Sequence, residues 1–403
     1  MNFHKQRPWR HSLPVALALL APFNILASLG MDIYLPVVPA MPVILGTTPQ
    51  IVQLTLTLYM LTLGVGQIIF GPLSDRFGRR PVVLGGALVF TTASFLLAIA
   101  VSPMAFLALR FVQAVGASAA LVGVFATVRD VYGDRPESAL VYSLMNAMLS
   151  FVPALGPIIG AILAEKLGWQ SIFIALGVPA LIAFIAALPA WQETRPIKTE
   201  ALRAGSFRRV LGSPVFWAYT MAFGTAMGTF FVFFSTAPRI LIERAGFSQL
   251  GFSLAFATVA GAMIITTRFA KTCVEHWGIP GSAYRGMALI ATGSALIAGG
   301  AFVFSPSFAS FIVPMWLIAV GIVFTGSVTA NGALAEFSDI AGTAVALHFC
   351  VQSLIVGLLG TFFVIGLGSD TIWPLAAYGL CMAALTAAAL KGVQRFQLRQ
   401  KAR

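Results

Sequence analysis

Charge is scarce in this chain. Of 403 residues only 9% are Asp, Glu, Lys or Arg, with 13 acidic residues against 25 basic ones. Soluble domains carry about a quarter charged residues. A chain this long and this uncharged cannot surround itself with a solvated surface, so a soluble enzyme is excluded before any motif is read. Disorder is excluded by the same low polarity. Cysteine is scarce too. Cys273, Cys350 and Cys381 have neither metal-ligand nor redox spacing and cannot build a disulfide framework. Small apolar filler is their expected role, and no metal site is expected.

What is abundant is apolar: 59% of residues are hydrophobic and the mean hydropathy is +0.91. A membrane helix needs about 20 apolar residues, so twelve would use about 240. Hydropathy places them near 12–35, 51–73, 82–101, 105–128, 140–165, 170–190, 214–237, 250–270, 283–304, 309–333, 342–366 and 373–391. The fold class predicted is an all-α membrane protein of twelve transmembrane helices. Most connections are under about a dozen residues, which leaves no soluble domain on either face. The opening Met1–Arg10 is basic and precedes an apolar run, as in a signal peptide. That run is about 23 residues long and holds Asn24 and Asp32, too long and too polar for a cleaved segment. It is expected to stay as the first helix.

The net charge of +12 resembles a nucleic-acid signal until its placement is read. If the N-terminus is cytoplasmic, 21 of the 25 basic residues fall on the cytoplasmic side, and Lys166, Arg239 and Arg244 on the other. Arg110 lies within a span. Positive charge concentrates on the cytoplasmic side of membrane proteins. The excess is a topology signal, no nucleic-acid partner is expected, and both termini are expected to be cytoplasmic.

The stretch from Trp191 to Pro214 is the longest polar one, with five basic residues. It divides the chain into an N-terminal six-helix bundle (1–190), a cytoplasmic linker (191–213) and a C-terminal six-helix bundle with a basic tail (214–403). Internal echoes suggest a duplication. The segment Gly71–Gly78 after span 2 matches Lys271–Gly278 after span 8, with Asp75 and Glu275 each three residues before the final glycine. Ala114-Val115-Gly116 recurs as Ala319-Val320-Gly321. Paired halves enclosing a midplane site are a transporter architecture.

Only two ionisable side chains fall well inside spans, Asp32 and Arg110. A charge in hydrocarbon costs at least about 2.5–3.5 kcal/mol and marks an ion pathway by default. Asp32 can exchange a proton at reachable pH and Arg110 cannot, so Asp32 is the candidate proton carrier and Arg110 its modulator, the two tied as an ion pair. The plain alternative is a lock between two helices, but a buried pair adds little net stability. Asn24, Ser28 and Asp32, spaced by four, form a polar stripe on one helix, and Gln113 extends the polar face beside Arg110. Asn24, Ser28, Tyr34, Tyr59, Gln113, Phe230, Trp316 and His348 are the candidate substrate-binding residues, as an apolar pocket needs few polar anchors. For His348 with Gln352, an i,i+4 pair, cavity lining and helix–helix hydrogen bonding weigh equally. His4, His11 and His276 read as interface residues.

The loop Gly71 to Pro81 carries the sharpest pattern. Gly71 is expected to permit close helix approach and Gly78 a tight turn, while Asp75 accepts from a helix N-terminus or pairs with cations such as Arg129. With Arg76, Arg79 and Arg80 this makes a candidate gate latch. A plain basic anchor would explain the arginines but not the Gly and Asp spacing. In span 5, Gly156-Pro157-Ile158-Ile159-Gly160 joins a small-residue face to a helix-bending proline, which packing explains as well as function does.

These motifs resemble those of the major facilitator superfamily. Gly71–Arg80 resembles its motif A, Leu107-xx-Arg110-xx-Gln113 its motif B, and Gly156-Pro157-xx-Gly160 the antiporter motif C, with Ala114 and Ala161 standing where glycine is usual. Asp32-Ile33-Tyr34-Leu35-Pro36 resembles the first-helix signature of twelve-span drug/proton antiporters. Segments Pro22–Pro39, Phe125–Asp130, Phe231–Pro238 and Asn331–Glu336 are similar to the chloramphenicol/florfenicol exporters, except that Asn24 stands where those carry Asp. The resemblance implies export of amphenicol drugs in exchange for protons by alternating access. It implies no cofactor beyond the proton gradient, and a monomer in the bacterial inner membrane. A proton-coupled importer or exporter of another small metabolite would use the same fold. A receptor would need signal-bearing loops, and none is read.

Overall fold

The computed structural model describes residues 9, 11–133, 135–195 and 204–401. His4, the basic residues Lys5, Arg7 and Arg10, Lys198 and Arg203 of the linker, and Arg403 lie outside the described residues. All regular structure among the described residues is helical.

Among the described residues, eleven helices are long and apolar enough to cross a membrane. In the N-terminal half they are α1 (Leu13–Asp32), α2 (Pro49–Phe77), α3 (Arg79–Ala98), α4 (Pro103–Tyr132), α5 (Ser138–Leu167) and α6 (Gln170–Ala190). The C-terminal half adds α7 (Pro214–Pro238), α8 (Gln249–Gly300), α9 (Val313–Leu334), α10 (Gly342–Leu367) and α11 (Trp373–Lys401). Helix α8 is 52 residues long, and about 20 residues suffice to span the bilayer. Gly278 breaks it, with φ 70° and ψ 174°. It therefore holds two spans, and the total is twelve.

The helix boundaries follow from local chemistry. Prolines open α4 and α7, where a missing N–H costs nothing, and the Ser213 hydroxyl caps α7 by accepting from Phe216 N. Between α2 and α3 the chain turns at Gly78, whose φ of 107° an L side chain rarely adopts. Gly78 and Gly278 thus hold corresponding places in the internal echo, and both have positive φ. The second echo is also geometric. A Cβ on Gly116 would lie 2.7 Å from the Gly86 carbonyl oxygen, and a Cβ on Gly321 would lie 2.6 Å from that of Gly286. In each half one such glycine pair lets two helix backbones approach closely.

Two compact units result. The first comprises 1–37, 43–47 and 58–202; the second comprises 38–42, 48–57 and 203–403. The core of the first is an apolar cluster of Ala16, Leu20, Phe23, Val83, Val124 and Met145, among others, closed by Trp9 and Trp191. The second holds three π-helical turns, Arg239–Arg244, Phe308–Ile312 and Ile355–Leu359, the last inside α10. Such turns occur mostly as local insertions, frequently at functional sites.

Candidate functional site

Asp32 closes α1 and is 7% exposed. Helix α5 is pressed against its backbone. A Cβ on Gly156 would lie 2.9 Å from Asp32 Cβ, and one on Gly160 would lie 1.9 Å from the Ile33 carbonyl oxygen. The two glycines of span 5 are therefore the residues that admit Asp32 into the helix interface. Pro157 lies between them within α5.

Arg110 is fully buried in α4, but it is not tied to Asp32. No ion pair joins them, which corrects the sequence expectation. Its Nη1 donates to the Gly30 carbonyl oxygen at 2.8 Å and to Gln113 Oε1 at 2.7 Å. Gln113 Nε2 passes the chain on to Ser94 Oγ at 2.8 Å. The guanidinium lies over two aromatic rings, 4.5 Å from the Tyr59 centroid and 5.1 Å from that of Tyr34. Its Nε and Nη2 are buried without hydrogen-bond partners. Backbone carbonyl, amide and π faces thus hold a cation that the sequence led one to pair with a carboxylate. Tyr59 lays its ring against the Arg110 guanidinium. Its hydroxyl donates to the Ala27 carbonyl at 2.8 Å and covers Gly30, where a Cβ would lie 2.5 Å from it.

Of the candidate binding residues, Tyr34, Tyr59 and Gln113 therefore gather around Arg110. Asn24 is fully buried one face away, where Nδ2 donates to the Met145 carbonyl at 3.1 Å and Oδ1 has no partner. Ser28 is half-buried between Asn24 and Asp32 in the sequence. The other three lie in the second unit, at separate places. Phe230 joins the ring cluster of Phe233, Phe234 and Phe256. Trp316 donates Nε1 to Thr258 Oγ1 at 2.9 Å and lines an apolar groove of about 730 Å³ with Leu296, Val303 and Val320. His348 is fully buried, with Nδ1 2.9 Å from Thr220 Oγ1.

The Gly71–Pro81 segment, expected as a loop, is instead the end of α2, the turn at Gly78 and the start of α3, and it carries a charged cluster. Arg79 is its hub: Nη1 meets Asp75 at 2.5 Å and Ser74 Oγ at 3.1 Å, and Nε meets Asp130 at 2.7 Å. Arg129 does not partner Asp75; it is exposed and only approaches Asp130, at 3.7 Å. Arg76 packs over Phe77, and Arg80 donates to the Leu188 carbonyl at 2.7 Å. Gly71 also departs from expectation, since a Cβ there would meet nothing within 4 Å. Its role is not close packing. Glu193, just past α6, completes the cluster. Its Oε1 accepts the backbone N–H of Arg79 at 2.8 Å and of Arg195 at 3.0 Å, and its Oε2 accepts that of Arg80 at 3.2 Å. Arg195 in turn donates to the Arg76 carbonyl at 2.5 Å.

The model of the Major Facilitator Superfamily matches residues 20–361. The chain belongs to the major facilitator superfamily. It is 46% identical to a chloramphenicol resistance protein of Pseudomonas aeruginosa over 94% of this chain and 90% of that protein. It is 29% identical to the multidrug resistance protein MdtL of Escherichia fergusonii over 88% of each. Among solved structures, a bacterial homologue of the human lysosomal transporter Spinster, inward-facing and occupied, superposes with a TM-score of 0.77 at 15% identity, covering 96% of this chain and 97% of that one. A POT family transporter in complex with 5-aminolevulinic acid gives 0.75 at 11% identity over 98% and 99%. These likenesses are of fold.

Two contributions to these side-chain clusters went unread in the sequence. The first is Glu193, whose acid was lost among the basic residues of the linker. Its signal was Gly78 followed at once by a helix, which leaves the N–H groups of Arg79 and Arg80 needing an anion. The second is Thr220, which orients His348 from another helix and has no signature in sequence.

Proposed function

We propose that the chain exports amphenicol antibiotics such as chloramphenicol and florfenicol across the bacterial inner membrane, in exchange for protons. The chain is an efflux transporter of the major facilitator superfamily, and the identity with the Pseudomonas aeruginosa chloramphenicol resistance protein supports the substrate class. Both termini are cytoplasmic, the working unit is a monomer, and no cofactor takes part.

The observation that carries the mechanism is the contrast between Asp32 and Arg110. Arg110 is held by a carbonyl, an amide and two rings; the Asp32 carboxyl has no ion-pair partner among the described residues. An unpaired buried carboxylate is costly, and a proton removes that cost. With the cavity open outward Asp32 takes a proton, and drug leaves. After the change of access the proton leaves inward and drug binds again. The change in charge at Asp32 reaches the Arg110 cage through α1, whose Gly30 carbonyl accepts from Arg110. Helix α5, seated on Asp32 and Ile33 through Gly156 and Gly160, shifts with it. For a neutral drug and one proton, a 100 mV potential adds about 2.3 kcal/mol per cycle. Proton and drug need only differ in affinity between the two states. The Arg79 cluster, at the cytoplasmic end in this topology, latches one of those states.

The test is expression in a bacterial strain stripped of efflux pumps. Resistance to chloramphenicol and florfenicol should appear, and a protonophore should remove it. Unchanged susceptibility to both drugs, or resistance indifferent to the protonophore, would overturn the reading.

A further inference from the structure

Helix α10 carries two buried polar groups left open on one face. His348 Nε2 and Gln352 Oε1 are each buried without a partner, one helical turn apart. The rest of each side chain is fixed. Thr220 Oγ1 holds His348 Nδ1 at 2.9 Å, Phe223 stacks on the ring at 5.2 Å and 29°, and Gln352 Nε2 donates to Ser353 Oγ at 2.8 Å. Buried polar groups are nearly always satisfied, and each exception needs a reason. When the Thr220 hydroxyl donates to Nδ1, the imidazole proton sits on Nε2. The open pair is then a donor beside an acceptor, which a single hydroxyl group satisfies by accepting from Nε2–H and donating to Oε1. A π-helical turn, a feature frequent at functional sites, follows in the same helix at Ile355–Leu359.

We propose that His348 and Gln352 form the hydroxyl-reading anchor of the transporter, with Phe223 offering the face for an adjoining aromatic ring. The ligand class is a neutral aryl alcohol, and this rests on the drug-export reading above. Thr220 is a positioning residue, since it acts through the imidazole.

The experiment measures binding to the purified full chain in nanodiscs, by calorimetry, using chloramphenicol and its doubly O-acetylated derivative. The wild type should prefer chloramphenicol about 10-fold or more, the worth of one or two hydrogen bonds. In Gln352→Leu and in Thr220→Val, both close in size to the original, the preference should fall to within about threefold through weaker chloramphenicol binding, while binding of the acetylated drug holds. A preference kept at its wild-type value in both variants overturns the anchor and leaves the export reading standing. A wild type that binds neither compound overturns both. If the open groups were satisfied by trapped water alone, the wild type would show no preference, and this too overturns the anchor.

Discussion

A methyl group on Gly160 would sit 1.9 Å from the carbonyl oxygen of Ile33, the residue that follows Asp32. The obstacle is backbone, so it cannot swing aside. Gly160→Ala should force α5 away from α1 at the point where Asp32 is held, at a cost above the usual 1–3 kcal/mol of overpacking. The expected result is a lowered unfolding temperature in detergent and lost export. Wild-type stability and transport in this variant would show that the two helices do not need the contact.

Asp32→Asn keeps the shape and removes the exchangeable proton. Drug binding at equilibrium should stay within a few-fold of wild type, while drug-driven proton movement in proteoliposomes disappears. Proton exchange persisting at the wild-type rate would take the coupling role from Asp32.

Arg110→Lys preserves charge but not the fork or the flat face that lies over Tyr34 and Tyr59. Both hydrogen bonds leave from one nitrogen, Nη1, which the shorter lysine stem does not reach, and a hydrogen bond to a charged group contributes about 1.5–3 kcal/mol. Transport should fall at least about 10-fold, with protein level unchanged on immunoblots. A fully active lysine variant would mean that only the charge matters.

Glu193→Gln removes a charge from the N-terminus of α3 and sets an amide donor against the backbone N–H of Arg79 or Arg80. The helix-terminus contribution is about 0.3–1 kcal/mol. A moderate loss of transport rate is expected, with drug affinity unaltered, since Glu193 acts on the latch. A change in drug affinity with no change in rate would contradict that assignment.

The twelve spans were legible because hydrocarbon thickness acts on composition alone. The repeat was legible as Gly116 and Gly321, because glycine at a helix contact leaves a trace in sequence. What pairs with Arg110 was not. Isolated opposite charges invite pairing, but apart from Gln113, which the sequence set beside it, the partners it found are a backbone carbonyl on α1 and aromatic faces rather than a carboxylate. The candidate pocket residues divided for the same reason. Tyr34, Tyr59 and Gln113 adjoin Arg110, whereas Phe230, Trp316 and His348 each serve a different neighbourhood of the second unit.

The aromatic cage of Arg110 bears on what the transporter rejects. Once Asp32 is protonated, that part of the first unit keeps one positive charge with no anion beside it, in a medium that screens poorly. On the export reading proposed above, a cationic compound would meet like-charge repulsion there, whereas an uncharged molecule would not. On that reading the cage that stores a cation also sorts by charge, favouring neutral passengers.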